Sequence, residues 1–282
     1  MKKILIAGAN SYIGTSFEGY IKKNYPNEYT VDTVDTVSGK WREKSFRGYD
    51  GVFCVAGIAH IKETKENSRL YYEVNRDLVI ELARKAKADG VRHFVFLSSM
   101  SVYGKDTGII TKETAPFPKS HYGRSKLEAE KVILPLADES FLVCVLRPPM
   151  VYGKDCKGNF QKIVKMVKRL PFFPNVKNER SMIYIDNLSC FVRLAFDREL
   201  SGVYFPQNRE YMCTADMARY VASALKKRIF FDFLTGLAVL MLLPFYKTAR
   251  KAFGSLVYKN TEDFDFSYEL YGNEESIRKS VE

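Results

Sequence analysis

Short apolar runs alternating with segments of helical periodicity constrain the first half of this chain more than any other feature. Residues 3–7, 30–35, 51–56, 93–98 and 141–146 read as strands, while 12–23, 67–88 and 122–136 place apolar residues three and four apart, as helices do. The stretch 78–86, LVIELARKA, is a plain amphipathic example. Strands that alternate with helices predict an α/β fold with a doubly wound parallel sheet. Right-handed crossovers then bring the C-terminal ends of the strands to one edge, where open α/β sheets bind their ligands.

After Arg147-Pro148-Pro149 the pattern loosens, with Gly153, Gly158, Pro171 and Pro174 punctuating shorter helical pieces. We therefore expect a main domain over 1–150, to which 181–200 returns, and a smaller interleaved lobe from 151–180 and 201–282. A chain of 282 residues, 46% apolar and 27% charged, has the size for both. The Met-Lys-Lys start is followed by too short an apolar run for a signal peptide, since Asn10 and Ser11 interrupt it, so a cytoplasmic protein is expected. The run IFFDFLTGLAVLMLLPFY at 229–246 is broken by Asp232 and Pro244 short of the about 18 to 20 residues a membrane span needs. It is expected as a buried helix of the lobe. The second reading is shallow docking on an anionic membrane, because Lys226-Lys227-Arg228 and Lys247, Arg250 and Lys251 flank it.

The net charge of +11 favours anionic partners, and between Lys154 and Arg180 eight Lys or Arg face two acids. No aromatic-basic reading motif accompanies this charge, so nucleic acid is not an expected partner. The five cysteines, Cys54, Cys144, Cys156, Cys190 and Cys213, form no Cys-x-x-Cys pair and are expected as buried free thiols. The three histidines, His60, His93 and His121, lie far apart, and no metal site is expected.

Chemistry-bearing residues gather where the strands end. GANSYIG, from Gly8 to Gly14, follows the first strand and resembles a dinucleotide-binding turn, with Ser11 in place of the middle glycine. A negative φ at Ser11 is expected, because a side chain at that point is costly in the left-handed region. Asp35 closes the second strand, where a carboxylate accepts hydrogen bonds from a ribose diol; Asp32 alternates with Val31 and Val34 and reads as an outward strand residue. Ala56 and Gly57 end the third strand with the small residues a flat ligand needs. Of the eighteen tyrosines only Tyr122 has a lysine four positions on, Lys126, which puts phenol and ammonium on one helix face. The lysine charge is expected to favour the phenolate. Ser99, at the exit of FVFLSS, is placed to hydrogen-bond a substrate oxygen; the alternative is a serine satisfying local backbone groups.

Taken in order, GANSYIG, Asp35, VAGIAH, YYEVN with Asn75, LSSMSVYG, YGRSK, LRPPMVYG and RSMIYIDNL resemble the extended short-chain dehydrogenase/reductase family of nucleotide-sugar epimerases and dehydratases over about residues 3–190. The resemblance implies a Rossmann domain holding NAD, with NADP left open, and a catalytic set of Ser99, Tyr122 and Lys126. It implies cofactor contacts from Gly8, Asn10, Ser11, Tyr12, Ile13, Gly14, Asp35, Ala56, Gly57, Asn75 and Pro148 together with Tyr122 and Lys126. Substrate contacts are implied at Ser99, Met100, Ser101, Asn159 and Arg180, the last two toward the diphosphate of a nucleotide sugar. The family's dehydratases carry Asp-Glu after the catalytic hydroxyl; Met100 and Ser101 stand there, which disfavours elimination of water. A UDP-hexose or UDP-N-acetylhexosamine 4-epimerase of polysaccharide assembly is the expected function, because Asp35 suits an unphosphorylated ribose. A 4-ketoreductase and a non-catalytic NAD(P)-binding protein are the alternatives, and a homodimer is an open expectation. The last 80 or so residues match the family poorly.

Overall fold

The computed structural model describes residues 1–59, 61, 63–259 and 264–282, so His60 lies outside the described residues. The chain runs β1 (Lys2–Ala7), α1 (Tyr12–Asn24), β2 (Tyr29–Val34), β3 (Gly51–Cys54), α2 (Ser68–Tyr72), α3 (Leu78–Ala88), β4 (His93–Leu97), β5 (Gly108–Ile110), α4 (His121–Ile133) and β6 (Leu142–Leu146). It continues through β7 (Met150–Tyr152), α5 (Asn159–Arg169), β8 (Phe172–Pro174), β9 (Met182–Tyr184), α6 (Ile185–Asp197) and β10 (Gly202–Tyr204). The last part holds α7 (Thr214–Ala224), β11 (Phe230–Asp232), α8 (Phe233–Leu242), α9 (Lys247–Phe253), β12 (Leu256–Tyr258) and α10 (Asn273–Val281). Two compact units divide these elements: Met1–Gly104, Pro116–Pro148 and Leu188–Pro206 form one, and Lys105–Ala115, Pro149–Asn187 and Gln207–Glu282 the other.

The first unit is built on a six-stranded sheet in the order β10-β6-β4-β3-β1-β2, with every neighbouring pair parallel. Its inner strands β1, β3, β4 and β6 are buried on both faces and accordingly read as near-continuous apolar runs: Ile4, Leu5, Ile6 and Ala7 have no exposed surface. On one side Phe17 of α1 meets Phe53 of β3 edge-on at 5.2 Å between ring centres. On another, Val79, Leu82, Ala83 and Ala86 of α3 and Ala129 and Ile133 of α4 share a core with Leu5, Val52, Phe94 and Val143. β1 has β2 on one side and β3 on the other, so the sheet reverses its winding at β1, and the turn after β1 opens at that switch point.

The expected helices and strands of this half are present, with ends moved by local chemistry. β2, β3 and β4 stop one or two residues before the expected Asp35, Ala56 and Ser98, which belong to the loops. The expected single helix over 67–88 is interrupted by a π-helical turn at Glu73–Asp77, where Asn75 is fully buried. The expected helix over 122–136 begins at His121 and tightens to a 3-10 turn over Leu134–Leu136, where Pro135 supplies no N–H for an α-helical bond.

The second unit uses three two-stranded parallel pairs, β7 with β9, β8 with β11 and β5 with β12. A buried polar cluster ties its C-terminal helix in place: Asn208 donates to the Tyr152 hydroxyl at 3.0 Å and to Asn273 at 3.1 Å, and Tyr152 bonds Ser276 at 2.6 Å. The expectation of a buried helix within 229–246 is corrected. In α8 Gly236 is the buried residue, packed so closely that a Cβ there would stand 2.7 Å from the Asn175 carbonyl oxygen, while Phe233 is 70% and Leu234 73% exposed. A ten-residue helix that is apolar all round and packs along one narrow strip leaves its other faces outside. Among the described residues no helix is long and apolar enough to cross a membrane. Of the cysteines, Cys54, Cys144, Cys156 and Cys190 are buried and free, whereas Cys213 is half-buried, its thiol toward the Val176 carbonyl.

Candidate active site

The turn after β1 is shaped by two backbone positions in the left-handed region, Gly8 at φ 121° and Asn10 at φ 62°. At Gly8 a Cβ would stand 2.9 Å from the Ala56 nitrogen, so only glycine lets the ends of β1 and β3 come this close. Ser11 has φ −72° and ψ 139°, the extended conformation of an N-cap, and its hydroxyl accepts the Gly14 N–H at 3.2 Å. The serine thus occupies the middle glycine position without strain, its oxygen turned back into the helix it caps. At Gly14 a Cβ would meet that same oxygen at 2.6 Å. Tyr12 and Ile13 form the first turn of α1, which carries the helix's partial positive charge. A glycine cradle ending on a helix N-terminus fits the diphosphate of a dinucleotide.

Asp35 lies exposed just beyond β2, its Oδ1 accepting the Val37 N–H at 2.9 Å. Asp32 faces outward from the strand, as expected, and takes the Tyr49 hydroxyl at 2.7 Å. Ala56 is buried and Gly57 exposed. A Cβ at Gly57 would stand 2.9 Å from Asn75 Oδ1 and 3.1 Å from Lys126 Nζ, so the bare backbone there is what admits both side chains.

Tyr122 and Lys126 sit one turn apart in α4, which Ser120 caps by accepting the Gly123 N–H. Burial raises the Tyr122 phenol above its ordinary range, and the Ser99 hydroxyl beside it pulls the other way. Lys126 is buried, donates a hydrogen bond to the Leu97 carbonyl at 2.9 Å and lies over the Phe96 ring at 4.6 Å. Burial pushes the Lys126 ammonium down to about 8, against the opposing pull of Cys54 and Glu130. Of its two expected roles, Ser99 shows the local one. It caps the 3-10 turn Met100–Tyr103, accepting the Ser101 N–H at 3.1 Å, and it stands beside the phenol. Met100 is half-buried and Ser101 exposed, and the Pro148 carbonyl receives the Met100 N–H at 2.9 Å.

Three supports hold this site, and two of them, Glu63 and the Glu130–Arg147 pair, escape a reading of the sequence. Asn75 uses its whole amide: Oδ1 accepts the Ile58 N–H at 2.9 Å, and Nδ2 donates to the Ile58 carbonyl at 3.1 Å and to Ser125 Oγ at 3.3 Å. Glu63 takes the His121 and Tyr122 N–H groups at 3.1 and 3.0 Å, holding the free end of α4. Beneath Ser99 lies a buried ion pair, Glu130 with Arg147, joined by Ser98, which donates to Glu130, and by Tyr103, which receives Arg147 at 2.8 Å. Arg147 in LRPP and the i+4 relation of Glu130 to Lys126 were the available signals.

Asn159 and Arg180 belong to the second unit. Asn159 opens α5 and is half-exposed. Arg180 donates from Nη1 to the Gly254 carbonyl at 2.7 Å, and burial lowers its guanidinium below the ordinary range, with Asp106 acting against this. Among the described residues no cluster of three His, Cys, Asp or Glu side chains is arranged to hold a metal.

A parallel sheet with a glycine turn at its switch point, and a Tyr-x-x-x-Lys helix beside the serine that follows β4, define a Rossmann-type dinucleotide-binding protein. The sequence pattern of the NAD dependent epimerase/dehydratase family matches residues 4–228, and the chain belongs to that family of NAD(P)-dependent enzymes. It is 31% identical over 251 residues to a UDP-glucose 4-epimerase of Vibrio cholerae, covering 80% of this chain and 76% of that one. Its fold is similar to a dTDP-4-dehydrorhamnose reductase of Clostridium acetobutylicum (TM-score 0.75, 19% identity, 99% and 98% covered). It is similar also to a UDP-glucuronic acid 4-epimerase of Bacillus cereus solved with NAD (TM-score 0.73, 18% identity, 99% and 95% covered).

Proposed function

We propose that this enzyme is a nucleotide-sugar 4-epimerase, taking a UDP-hexose or UDP-N-acetylhexosamine through a transient 4-keto sugar, in the cytoplasm and in the service of polysaccharide assembly. The observation that carries the reading is the Ser99–Tyr122–Lys126 constellation, with Met100 and Ser101 in place of the acid-base pair that dehydration needs. The 31% identity to a UDP-glucose 4-epimerase supports it. In this reading Gly8, Asn10, Ser11, Tyr12, Ile13 and Gly14 hold the dinucleotide diphosphate. Asp35 holds the adenosine ribose, Ala56, Gly57 and Pro148 line the rest of its path, and Asn75, fully buried beside Gly57, supports that wall. When bound, NAD supplies a reversible hydride acceptor. The chain's own part is proton handling: Tyr122 takes the proton of the C4 hydroxyl and returns it to the C4 oxygen, Ser99 holds that oxygen, and Lys126 carries the positive charge that eases loss of the phenolic proton. Because burial holds the phenol up in this geometry, the cationic partners of the loaded site must supply the missing stabilisation, about 1.4 kcal/mol for each pKa unit. Asn159 and Arg180 are assigned to the sugar nucleotide's diphosphate. The Asp106 carboxylate acts on that guanidinium against the effect of its burial.

A 4-ketoreductase uses the same residues and is the second reading. Incubation with UDP-hexoses and UDP-N-acetylhexosamines, with and without added NAD(P)H, separates the two. Interconversion without added cofactor, cut at least about 100-fold in Tyr122→Phe, is the expected result. Strict dependence on NADPH and a keto-sugar assigns the reductase instead, and turnover unchanged in Tyr122→Phe removes the catalytic assignment.

A further inference from the structure

The largest concentration of exposed apolar side chains lies in one stretch of the second unit. Of the seventeen large apolar residues that are exposed among the described residues, nine fall between Phe230 and Tyr246. Phe230 is 77%, Phe233 70%, Leu234 73%, Met241 63% and Phe245 78% exposed, and Phe172, 43% exposed, is the strand neighbour of Phe230 in the β8–β11 pair. Scattered apolar residues on a surface need no explanation, but a contiguous patch does.

The charges that flank this stretch in the sequence are nearly all of one sign. Between Lys226 and Lys259 the sequence holds seven Lys or Arg and one acid, Asp232. That acid is committed to capping α8, where it accepts the Thr235 N–H at 2.7 Å. Lys226 and Arg228 are exposed immediately before β11. At the other end Arg250 donates to the Leu243 and Pro244 carbonyls at 3.1 and 2.7 Å, fixing its charge at the C-terminus of α8, with Lys251 exposed beside it in sequence.

We propose that α8 and the β11 edge form a membrane-docking surface, which lies shallowly in an anionic lipid bilayer with Phe230, Phe233 and Leu234 in the acyl boundary and the flanking cations at the headgroups. An apolar face rimmed with cations is the chemistry that interfacial segments use. A second copy of this chain would bring the same excess of positive charge to the same patch, and like charges across an interface oppose association. An anionic surface neutralises them. At ten residues α8 is too short to span, which makes the attachment peripheral and salt-sensitive.

Co-sedimentation of the full chain with vesicles of phosphatidylcholine alone, or of phosphatidylcholine with phosphatidylglycerol, tests this. Binding to the anionic vesicles that weakens as salt is raised is expected, with at least about a tenfold loss in Phe233→Glu/Leu234→Glu. Lys226→Gln/Arg228→Gln, which leaves the apolar patch intact, is expected to weaken binding and flatten its salt dependence. Turnover of a water-soluble nucleotide sugar stays unchanged in both variants, so loss of docking is distinct from loss of the proposed catalysis. Absence of wild-type binding, equal binding to both kinds of vesicle, or binding untouched by either variant overturns the proposal. So does a dimer that excludes vesicles and is dissolved by Phe233→Glu/Leu234→Glu, which assigns the patch to a second copy.

Discussion

Ser11 shows how one side chain can stand where a glycine is expected without closing a site. Its hydroxyl is bonded to Gly14 and its φ is −72°, so nothing about the position demands glycine. A glycine N-cap is worse than serine by only a few tenths of a kcal/mol, whereas alanine costs about 1 kcal/mol. Ser11→Gly is therefore expected to keep NAD affinity within about twofold, and Ser11→Ala to lower stability more than Ser11→Gly does. Calorimetric titration with NAD and urea melts of the three proteins check this. A collapse of NAD binding in the glycine variant would show the hydroxyl to be a ligand contact rather than a cap. The negative φ was legible from sterics alone. The capping bond was not, because nothing in GANSYIG distinguishes a hydroxyl turned into the helix from one turned toward a ligand.

At the scale of the element, α4 carries Tyr122, Lys126 and Glu130 at successive four-residue steps, so one helix face presents the site and anchors it. Glu130 is almost fully buried against Arg147, and its charge helps hold the Lys126 ammonium against burial. Glu130→Gln leaves the Arg147 charge without its carboxylate and is expected to cost about 3–5 kcal/mol of stability. The same change removes an influence that raises Lys126, which at about 8 already titrates low. The sign follows directly: Lys126 loses its proton at lower pH, and the alkaline limb of the kcat/KM profile moves down. A stability loss with an unmoved profile would reduce Glu130 to a structural anchor. The Tyr-Lys spacing was legible because it is a property of five consecutive helical residues. The partner of Glu130 lies seventeen residues away on the loop after β6, and the π turn around Asn75 exists because that amide serves Ile58 and Ser125, so neither could be read from its own segment.

For the molecule as a whole, a ligand that binds the folded chain alone must raise its melting temperature. At a concentration 100 times its Kd the gain is about 2.7 kcal/mol. For a chain of this size that corresponds to roughly 5–10 °C. Asp35, exposed at the end of β2, is expected to make the shift larger for NAD than for NADP in protein freed of retained nucleotide, because its carboxylate repels a 2′-phosphate. Thermal melts with each cofactor decide this, and a larger shift with NADP would overturn the assignment of Asp35. The sequence by itself determined the α/β class, the order of the strands β1, β2, β3, β4 and β6 of the main sheet and of the helices between them, and the positions of the turn, the serine and the Tyr-Lys pair. All of these follow from periodicity and from bonds a few residues long. Only the tertiary structure decided that the Tyr122 phenol is raised by burial, that Glu63, Glu130 and Arg147 hold the site together, and that α8 turns its apolar side chains outward. Each of these depends on what packs against a residue from elsewhere in the chain, and hydrophobicity along the sequence does not tell which face will find a partner.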